Sequence, residues 1–234
     1  MGCFLTNSSL GRKLVMSISG CFLVLFLLFH MAMNVVALIG DGSAYNMICG
    51  FLGANWYALV GTAVLALGVL VHFVYAFWLT YQNRKARGNV RYAVTVKEHG
   101  VSWASKNMLL LGVIVILGLL LHLVHFWSKM QLQELLGNHE NCLGLAVTDG
   151  AALIQYTFSK WYNVALYVVW LAALWFHLSH GVWSMVQTVG WANDKWYPRL
   201  KCLSTIVATL ICGGFALVAV WFYVQSVCPC CAGC

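Results

Sequence analysis

Histidines inside apolar segments are the residues of this chain best suited to chemistry. The chain has eight histidines in 234 residues. An ionisable side chain in the hydrocarbon core of a membrane is costly, so it indicates a functional site by default. Neutral imidazole nitrogen is also a good ligand for transition metals such as iron. Six of the eight histidines fall on four long apolar segments: His30, His72, His122, His125, His177 and His180.

Composition identifies the segments that position these histidines as membrane spans. Hydrophobic residues make up 62% of the chain and charged residues 8%, whereas a soluble domain carries about 25% charged residues. A helix needs about 20 apolar residues to cross a bilayer, and the short alternating segments of barrel strands are absent. The sequence predicts an all-α integral membrane bundle, one domain over residues 1–234, with five transmembrane helices at about 14–39, 56–81, 108–130, 162–189 and 202–227.

The distribution of basic residues predicts the orientation of the bundle. The net charge of +7 does not indicate nucleic-acid binding, because the apolar fraction excludes that class. It bears instead on how the spans are oriented in the membrane. Only two of the basic residues, Lys129 and Lys160, fall in the loops and terminus on one side of the spans. Since cytoplasmic loops are enriched in Lys and Arg, we expect a cytoplasmic N-terminus and an external C-terminus. Eleven of the 13 basic residues lie on the expected cytoplasmic side: Arg12, Lys13, Arg84, Lys85, Arg87, Arg91, Lys97, Lys106, Lys195, Arg199 and Lys201.

Two histidines are expected at one depth in the outer half of the membrane. His30 lies 17 residues after Lys13, and His122 lies 16 residues after Lys106. Both helices run outward, and an α-helix rises about 1.5 Å per residue, so the two imidazoles lie within roughly 2 Å of the same level. We call His30 and His122 the outer pair.

A second level is expected in the inner half. His72 lies 12 residues before Arg84 on an inward-running helix, and His177 lies on the fourth span, which also runs inward. We call His72 and His177 the inner pair. Each pair joins two helices that are not consecutive. This arithmetic predicts two haems, one above the other across the membrane, each with two imidazole ligands.

Two of the segments carry a second histidine, three residues after the first. His122 and His125 share roughly one helical face, as do His177 and His180. Only one member of each couple is a ligand in this scheme. Depth favours His122 over His125 and does not separate His177 from His180.

Other roles for the histidines remain open at this point. Histidines between membrane helices also serve as packing or hydrogen-bonding residues. A metal-ion pathway lined by histidines and carboxylates is a further alternative. The five predicted spans contain no Asp or Glu, which disfavours that pathway.

Three segments carry a resemblance to a known family. Ser8–Lys13 leads into the His30 helix, His122 and Leu123 are followed by Phe126 and Trp127, and Phe176–Ser184 surrounds His177. In these segments, and over essentially all spans, the chain resembles the membrane-anchor cytochrome b subunit of succinate dehydrogenases and fumarate reductases, of the single-subunit, five-helix, two-haem type.

The resemblance distinguishes the candidate ligands of the fourth span. In the family a ligand histidine is followed four residues later by Gly, then by an aliphatic and an aromatic residue. His177 has Gly181, Val182 and Trp183 at these positions, and His180 does not fit. The third span matches less closely, and His125 can be aligned there in place of His122.

The resemblance implies a role in electron transfer. It implies two haem b groups, ligated by His30 with His122 and by His72 with His177. Electrons would pass between a quinone, expected to be menaquinone, and a cytoplasmic iron–sulfur subunit that is joined to a flavoprotein subunit with FAD. The chain would be the quinone-reactive subunit of the enzyme, in contact with membrane lipid in the bacterial cytoplasmic membrane, and the whole complex could dimerise. Succinate and fumarate would not touch it.

Two further classes of function stay open. A dihaem cytochrome b of another quinone-linked enzyme, of the hydrogenase or formate dehydrogenase type, would share the haems but not the segment after His177. A transporter or channel with structural histidines would have no haem.

The quinone site is the part that the sequence assigns least. Related anchors often place an acidic residue near the outer quinone site, and here the first external loop offers only Asp41, with Asn46 and Asn55. No catalytic residue is therefore assigned. Ser17 and Ser19 could hydrogen-bond a haem propionate, with ordinary bonding to their own helix backbone as the alternative.

Cysteines crowd the C-terminal tail, at positions 228, 230, 231 and 234. The tail is expected outside the membrane, where disulfides are permitted. We assign no function to it.

Overall fold

The described part of the chain is helical throughout. The computed structural model describes residues 8–53, 55–88, 103–188, 190 and 193–228. In these ranges no strand occurs, and the β-contact is an isolated bridge between Glu140 and Ala146. The predicted all-α class is confirmed. The α-helices of the described part are α1 (Ser9–Val35), α2 (Ser43–Phe51), α3 (Trp56–Arg87), α4 (Trp103–Lys106), α5 (Met108–His125), α6 (Gln131–Leu135), α7 (Gly150–Phe158), α8 (Trp161–Thr188) and α9 (Trp196–Val227).

Five of these helices are long and apolar enough to cross a membrane, namely α1, α3, α5, α8 and α9. The predicted multi-pass bundle is therefore confirmed. Short 3₁₀ turns at Val36–Leu38 and Trp127–Lys129 extend the outer ends of α1 and α5. Arg91, Lys97 and the cysteines at 230, 231 and 234 lie outside the described residues, as does the predicted end of the fourth span at 189.

Two spans begin several residues before the predicted boundary. The Ser8 hydroxyl accepts a hydrogen bond from the Gly11 N–H at 2.9 Å, and this N-cap starts α1 before its apolar run. At the start of α9, the Lys201 ammonium lies 4.3 Å from the ring centre of Tyr197. Aromatic rings and long basic side chains are stable at the membrane–water interface, so the helix continues into that layer.

Four spans form a ring around a common centre. α1 packs against α3 and α8, and α5 packs along α8 and contacts α3 at a few residues. α1 is therefore diagonally opposite α5, and α3 is diagonally opposite α8. Among the described residues neither diagonal pair packs along its length. Side chains that project from opposite helices can thus meet in the centre of the ring.

The fifth span, α9, lies outside the ring and supports α8. α9 packs most extensively along α8 and also contacts α1. Ser204, Ala208 and Ile211 are fully buried at this contact. The Ser204 hydroxyl lies 2.7 Å from the backbone oxygen of Ser179 on α8 and donates to it. Small residues let two membrane helices approach closely, so α9 fixes α8 beside the ring.

Short helices cover one end of the bundle. We call α2 and α7 the outer cap, after the orientation that the basic residues predict. The Asn46 side chain of α2 donates to the Asp149 carboxylate at 2.8 Å and accepts the Ala151 N–H at 2.9 Å. Asp149 also caps α7 by accepting the Ala152 N–H at 3.0 Å. These bonds join the two helices of the outer cap to each other.

Candidate functional site

The outer pair meets in the centre of the ring. The rings of His30 on α1 and His122 on α5 have centres 5.8 Å apart and planes at 84°. These helices are diagonally opposite, so the two side chains bridge a gap that the backbones leave open. The structure brings these two predicted residues together; their role as ligands stays a prediction.

Aromatic rings surround the outer pair. Phe26 stacks on His30 with ring centres 5.4 Å apart, and Phe215 of α9 lies 5.5 Å away on a tilt. On the other side, Trp170 of α8 lies 6.0 Å from the His122 ring. Its indole N–H donates to a backbone oxygen of α5 at 3.0 Å. The Cα of Gly118 faces this indole so closely that an added Cβ would overlap it.

The inner pair meets across the other diagonal. The rings of His72 on α3 and His177 on α8 have centres 6.4 Å apart and planes at 68°. Each ring lies against a glycine of a neighbouring helix. An added Cβ would come within 3.5 Å of His72 at Gly20 and within 3.8 Å of His177 at Gly112. Glycine at these points lets an imidazole lie directly against a helix backbone.

A serine hydroxyl contacts the inner pair. Ser19 on α1 is buried, and its Oγ lies 3.1 Å from His72 Nδ1. The same hydroxyl donates to the Met16 carbonyl at 3.2 Å. Ser17 donates only to its own helix, to the Lys13 carbonyl at 3.0 Å. The back-bonding expected as the alternative is therefore present for both serines, and Ser19 has the additional contact with a histidine.

The two pairs lie at clearly different depths. On α1, Ser19 contacts the inner pair, and His30 of the outer pair follows 11 residues later. On α5, Gly112 lies against the inner pair, and His122 follows 10 residues later. At 1.5 Å per residue, both helices separate the levels by about 15 to 17 Å.

The second histidine of each couple has other neighbours. His125 Nδ1 lies 3.3 Å from the Tyr167 hydroxyl, and the two rings are nearly parallel. His180 lies edge-on against Trp183, with ring centres 4.9 Å apart. His180 is one helical turn closer to the expected cytoplasmic side than His177. The ring contacts that join the diagonals thus involve His122 and His177.

Each level offers two imidazoles as possible metal ligands, and their spacing and number indicate which kind of metal group fits. Two metal–nitrogen bonds of about 2 Å, with about 1.2 Å from each nitrogen to its ring centre, put the centres roughly 6.4 Å apart when the metal lies on the line between them. The inner spacing of 6.4 Å equals this value, and the outer spacing of 5.8 Å is close to it but shorter. In the described ranges no group of three or more His, Cys, Asp or Glu side chains converges. Two imidazoles alone are too few for a protein-only zinc site, whereas a haem brings its own equatorial nitrogens.

The α8 backbone beside the inner pair is open at one point. An added Cβ at Gly181, one turn after His177, would meet nothing within 4 Å. The Nδ1 atoms of His177 and His180 are buried without a hydrogen-bond partner in the described part. The residues at both levels therefore fit a haem in number, element type and spacing.

The residues considered for the quinone site lie on the expected outer side. Asp41 is exposed. Hydrogen bonds from the Ser43 side chain and from the Ser43 N–H, the latter at 3.0 Å, hold the pKa of its carboxyl below the ordinary value. Asn55 donates to the Phe51 carbonyl at 3.0 Å. Asn46 joins the helices of the outer cap. None of these contacts points to a bound quinone.

Sequence reasoning missed residues that support the outer pair. Asn34 follows His30 by one helical turn, and its side chain lies 3.4 Å from His30 Nδ1. Its spacing of four residues was a usable signal. Tyr45, which donates to Asn34 at 3.1 Å, comes from a separate helix, and no periodic pattern links it to His30. No family model, no curated protein and no solved structure matches this chain, so its function has to be inferred from these residues and their geometry.

Proposed function

We propose that the chain is the membrane anchor of a succinate:quinone oxidoreductase, a dihaem cytochrome b that carries electrons between a cytoplasmic iron–sulfur subunit and membrane quinone. The observation that supports it most is the meeting of two histidine pairs across the two diagonals of one helical ring. Histidines that serve only in helix packing are not expected to meet in pairs, with the spacing of metal ligands, at two separate depths.

The chain's own residues would hold the two groups and keep water away from them. His72 and His177 would ligate the inner haem, and His30 and His122 the outer one. Each bound haem b supplies one-electron redox chemistry. The aromatic rings around the outer pair and the apolar spans on every side keep both levels dry. A dry, low-dielectric surrounding favours neutral imidazole, the form that binds iron.

Basic residues on the expected cytoplasmic side support the docking of a partner. Among the described residues on this side, Asp194 is the only acidic one. Complementary charge steers association of protein partners, so an acidic face of an iron–sulfur subunit would fit here. The basic residues of the described ranges on this side include Arg84, Lys85, Lys106, Lys195, Arg199 and Lys201.

The test is a haem count on the purified chain, followed by reduction of the haems through the native complex. We expect a pyridine haemochrome assay to give two haem b per chain, and succinate to reduce at least the inner haem in the complex isolated with its soluble subunits. Absence of haem would favour a transporter or channel with structural histidines. Two haems that succinate cannot reduce would favour the cytochrome b of another quinone-linked enzyme.

A further inference from the structure

A haem at the inner level would bring its propionate carboxylates into the membrane with it. A charged group in the hydrocarbon core is costly unless it is paired or hydrogen-bonded. An ionised carboxylate can only accept hydrogen bonds, so it needs a nearby side chain that has a proton to donate. A residue other than the ligands His72 and His177 must therefore supply that donor.

The two serines beside the inner level already use their hydroxyl protons. The Ser17 hydroxyl donates to the Lys13 carbonyl at 3.0 Å, and the Ser19 hydroxyl donates to the Met16 carbonyl at 3.2 Å. A serine has one hydroxyl proton, so in the contact of 3.1 Å with His72 Nδ1 the Ser19 oxygen accepts. In this arrangement neither serine has a free donor for a carboxylate.

His180 has a nitrogen that is free to donate. It follows His177 by three residues on roughly the same face of α8, about 4.5 Å closer to the expected cytoplasmic side. Its Nδ1 is buried and has no hydrogen-bond partner in the described part of the chain. Buried polar atoms are nearly always bonded, and each exception needs an explanation. The Nδ1 of His177 is buried in the same way, but that ring already faces His72. His180 is the one that the inner pair does not use.

A positive charge is held close to His180. The His180 ring lies edge-on to the Trp183 ring, with centres 4.9 Å apart, and the Lys201 ammonium of α9 lies 5.3 Å from the same indole. Tyr197, one turn before Lys201, has its ring centre 4.3 Å from this ammonium. The cytoplasmic edge of the inner level thus combines an unpaired donor with a nearby cation, and charge-assisted hydrogen bonds to carboxylates are the strong ones.

We propose that His180 binds a propionate carboxylate of the haem at the inner level through its Nδ1–H, with Lys201 as the nearby positive charge. The proposal rests on the proposed function, because it needs a haem between His72 and His177. It gives His180 a contact with the edge of the haem and not with the metal. A neutral imidazole donates from one nitrogen only, so this contact also fixes the tautomer of His180.

The test compares haem with haem dimethyl ester, in which methyl groups block the carboxylates. The full chain is freed of haem in detergent and titrated with each compound, and the inner level is identified as the one lost in His177→Ala. We expect His180→Leu to weaken haem binding at the inner level by about tenfold or more, the usual effect of a hydrogen bond to a charged group. Binding of the ester should not change. His180→Gln keeps a donor and should weaken haem binding less.

Ser17→Ala is the matched control and should leave both titrations unchanged, because the Ser17 hydroxyl bonds the Lys13 carbonyl. With haem in excess, both His180 variants should keep two haems and a bis-imidazole visible spectrum, since the iron keeps its ligands. A changed spectrum of the inner haem, equal losses of haem and ester in both His180 variants, or no loss in either variant would overturn the proposal and leave the proposed function standing. A wild-type chain that binds neither compound would overturn both.

Discussion

The inner and outer pairs reach almost the same ring spacing with different supports. Around the inner pair the neighbours are small: Gly20 and Gly112 lie against the rings, and the Ser19 hydroxyl contacts His72. Around the outer pair the neighbours are aromatic rings and an amide tied to the outer cap. The inner pair is thus positioned by close packing of the spans themselves, whereas the outer pair also depends on parts of the chain beyond the membrane.

α1 contributes to both supports. It carries Ser19, which contacts a histidine of α3, and Asn34, which contacts His30 on α1 itself. One helix thus serves two sites by two kinds of contact. We therefore expect variants that affect one level and leave the other intact.

The largest expected effect is loss of one whole haem from the inner level. We expect His177→Ala to leave one haem per chain and His180→Ala to leave two, because His177 is the residue whose ring meets His72. The pyridine haemochrome assay on both variants measures this. Loss of a haem from the His180 variant alone would place the ligand one turn further along α8. It would contradict the pairing of His72 with His177.

Next in size is loss of quinone-linked activity through the outer level. We expect His122→Met to abolish most of the succinate-to-quinone rate in the assembled complex, while reduction of a soluble dye continues, if quinone reacts at the outer side. His125→Met is the control, since His125 contacts Tyr167 and not His30. Equal loss of both rates would indicate failed assembly. Unchanged quinone activity with both haems present would mean that His125 or the introduced methionine, itself a possible haem ligand, can serve in place of His122.

A smaller effect is expected from Gly118→Ala. The added methyl group would overlap Trp170, which lies between α5 and α8 beside the outer pair. Overpacking of this kind costs about 1 to 3 kcal/mol, and the optical or EPR signal of the outer haem should shift. Gly61→Ala is the control, because that position is open. Unfolding in detergent and the two haem signals are the measurements; a shift confined to the inner haem would contradict the assignment of Trp170 to the outer level.

The smallest effect is expected from Ser19→Ala. Loss of the hydroxyl that contacts His72 Nδ1 should weaken haem binding at the inner level by about tenfold, the lower end of the usual range for such contacts. Ser17→Ala is a close control, because among the described residues Ser17 bonds to its own helix and not to a histidine. Haem titration of both variants gives the comparison. Equal behaviour of the two serines would reduce Ser19 to a packing residue.

The fold could be predicted from the sequence because its cause is local. Long apolar segments without acidic residues become membrane helices whatever surrounds them. Boundaries were less predictable: Ser8 starts α1 early through a hydrogen bond to Gly11, and α9 starts at Trp196 because aromatic and basic side chains are stable in the interface. These are contacts between residues, and hydropathy does not register them.

The candidate site, like the fold, has a part that could be predicted from the sequence and a part that could not. The depth of each histidine follows from helix rise, so the proximity of His30 to His122 and of His72 to His177 could be anticipated. The residues that support them could not. Tyr45 is brought to Asn34 by the packing of the short helix α2, and Trp170 is placed against Gly118 by the crossing of two spans. Neither contact produces a periodic pattern in the sequence.

The diagonal arrangement has a consequence for synthesis of the chain. The helices of the outer pair are the first and third spans, and those of the inner pair are the second and fourth. His177 lies 55 residues after His122, a length that a ribosome adds in about 3 to 11 seconds. For that interval the growing chain possesses both outer imidazoles and only half of the inner pair. A nascent chain arrested after α7 would therefore already contain both outer-pair histidines, while His72 would await a helix that has not yet been made.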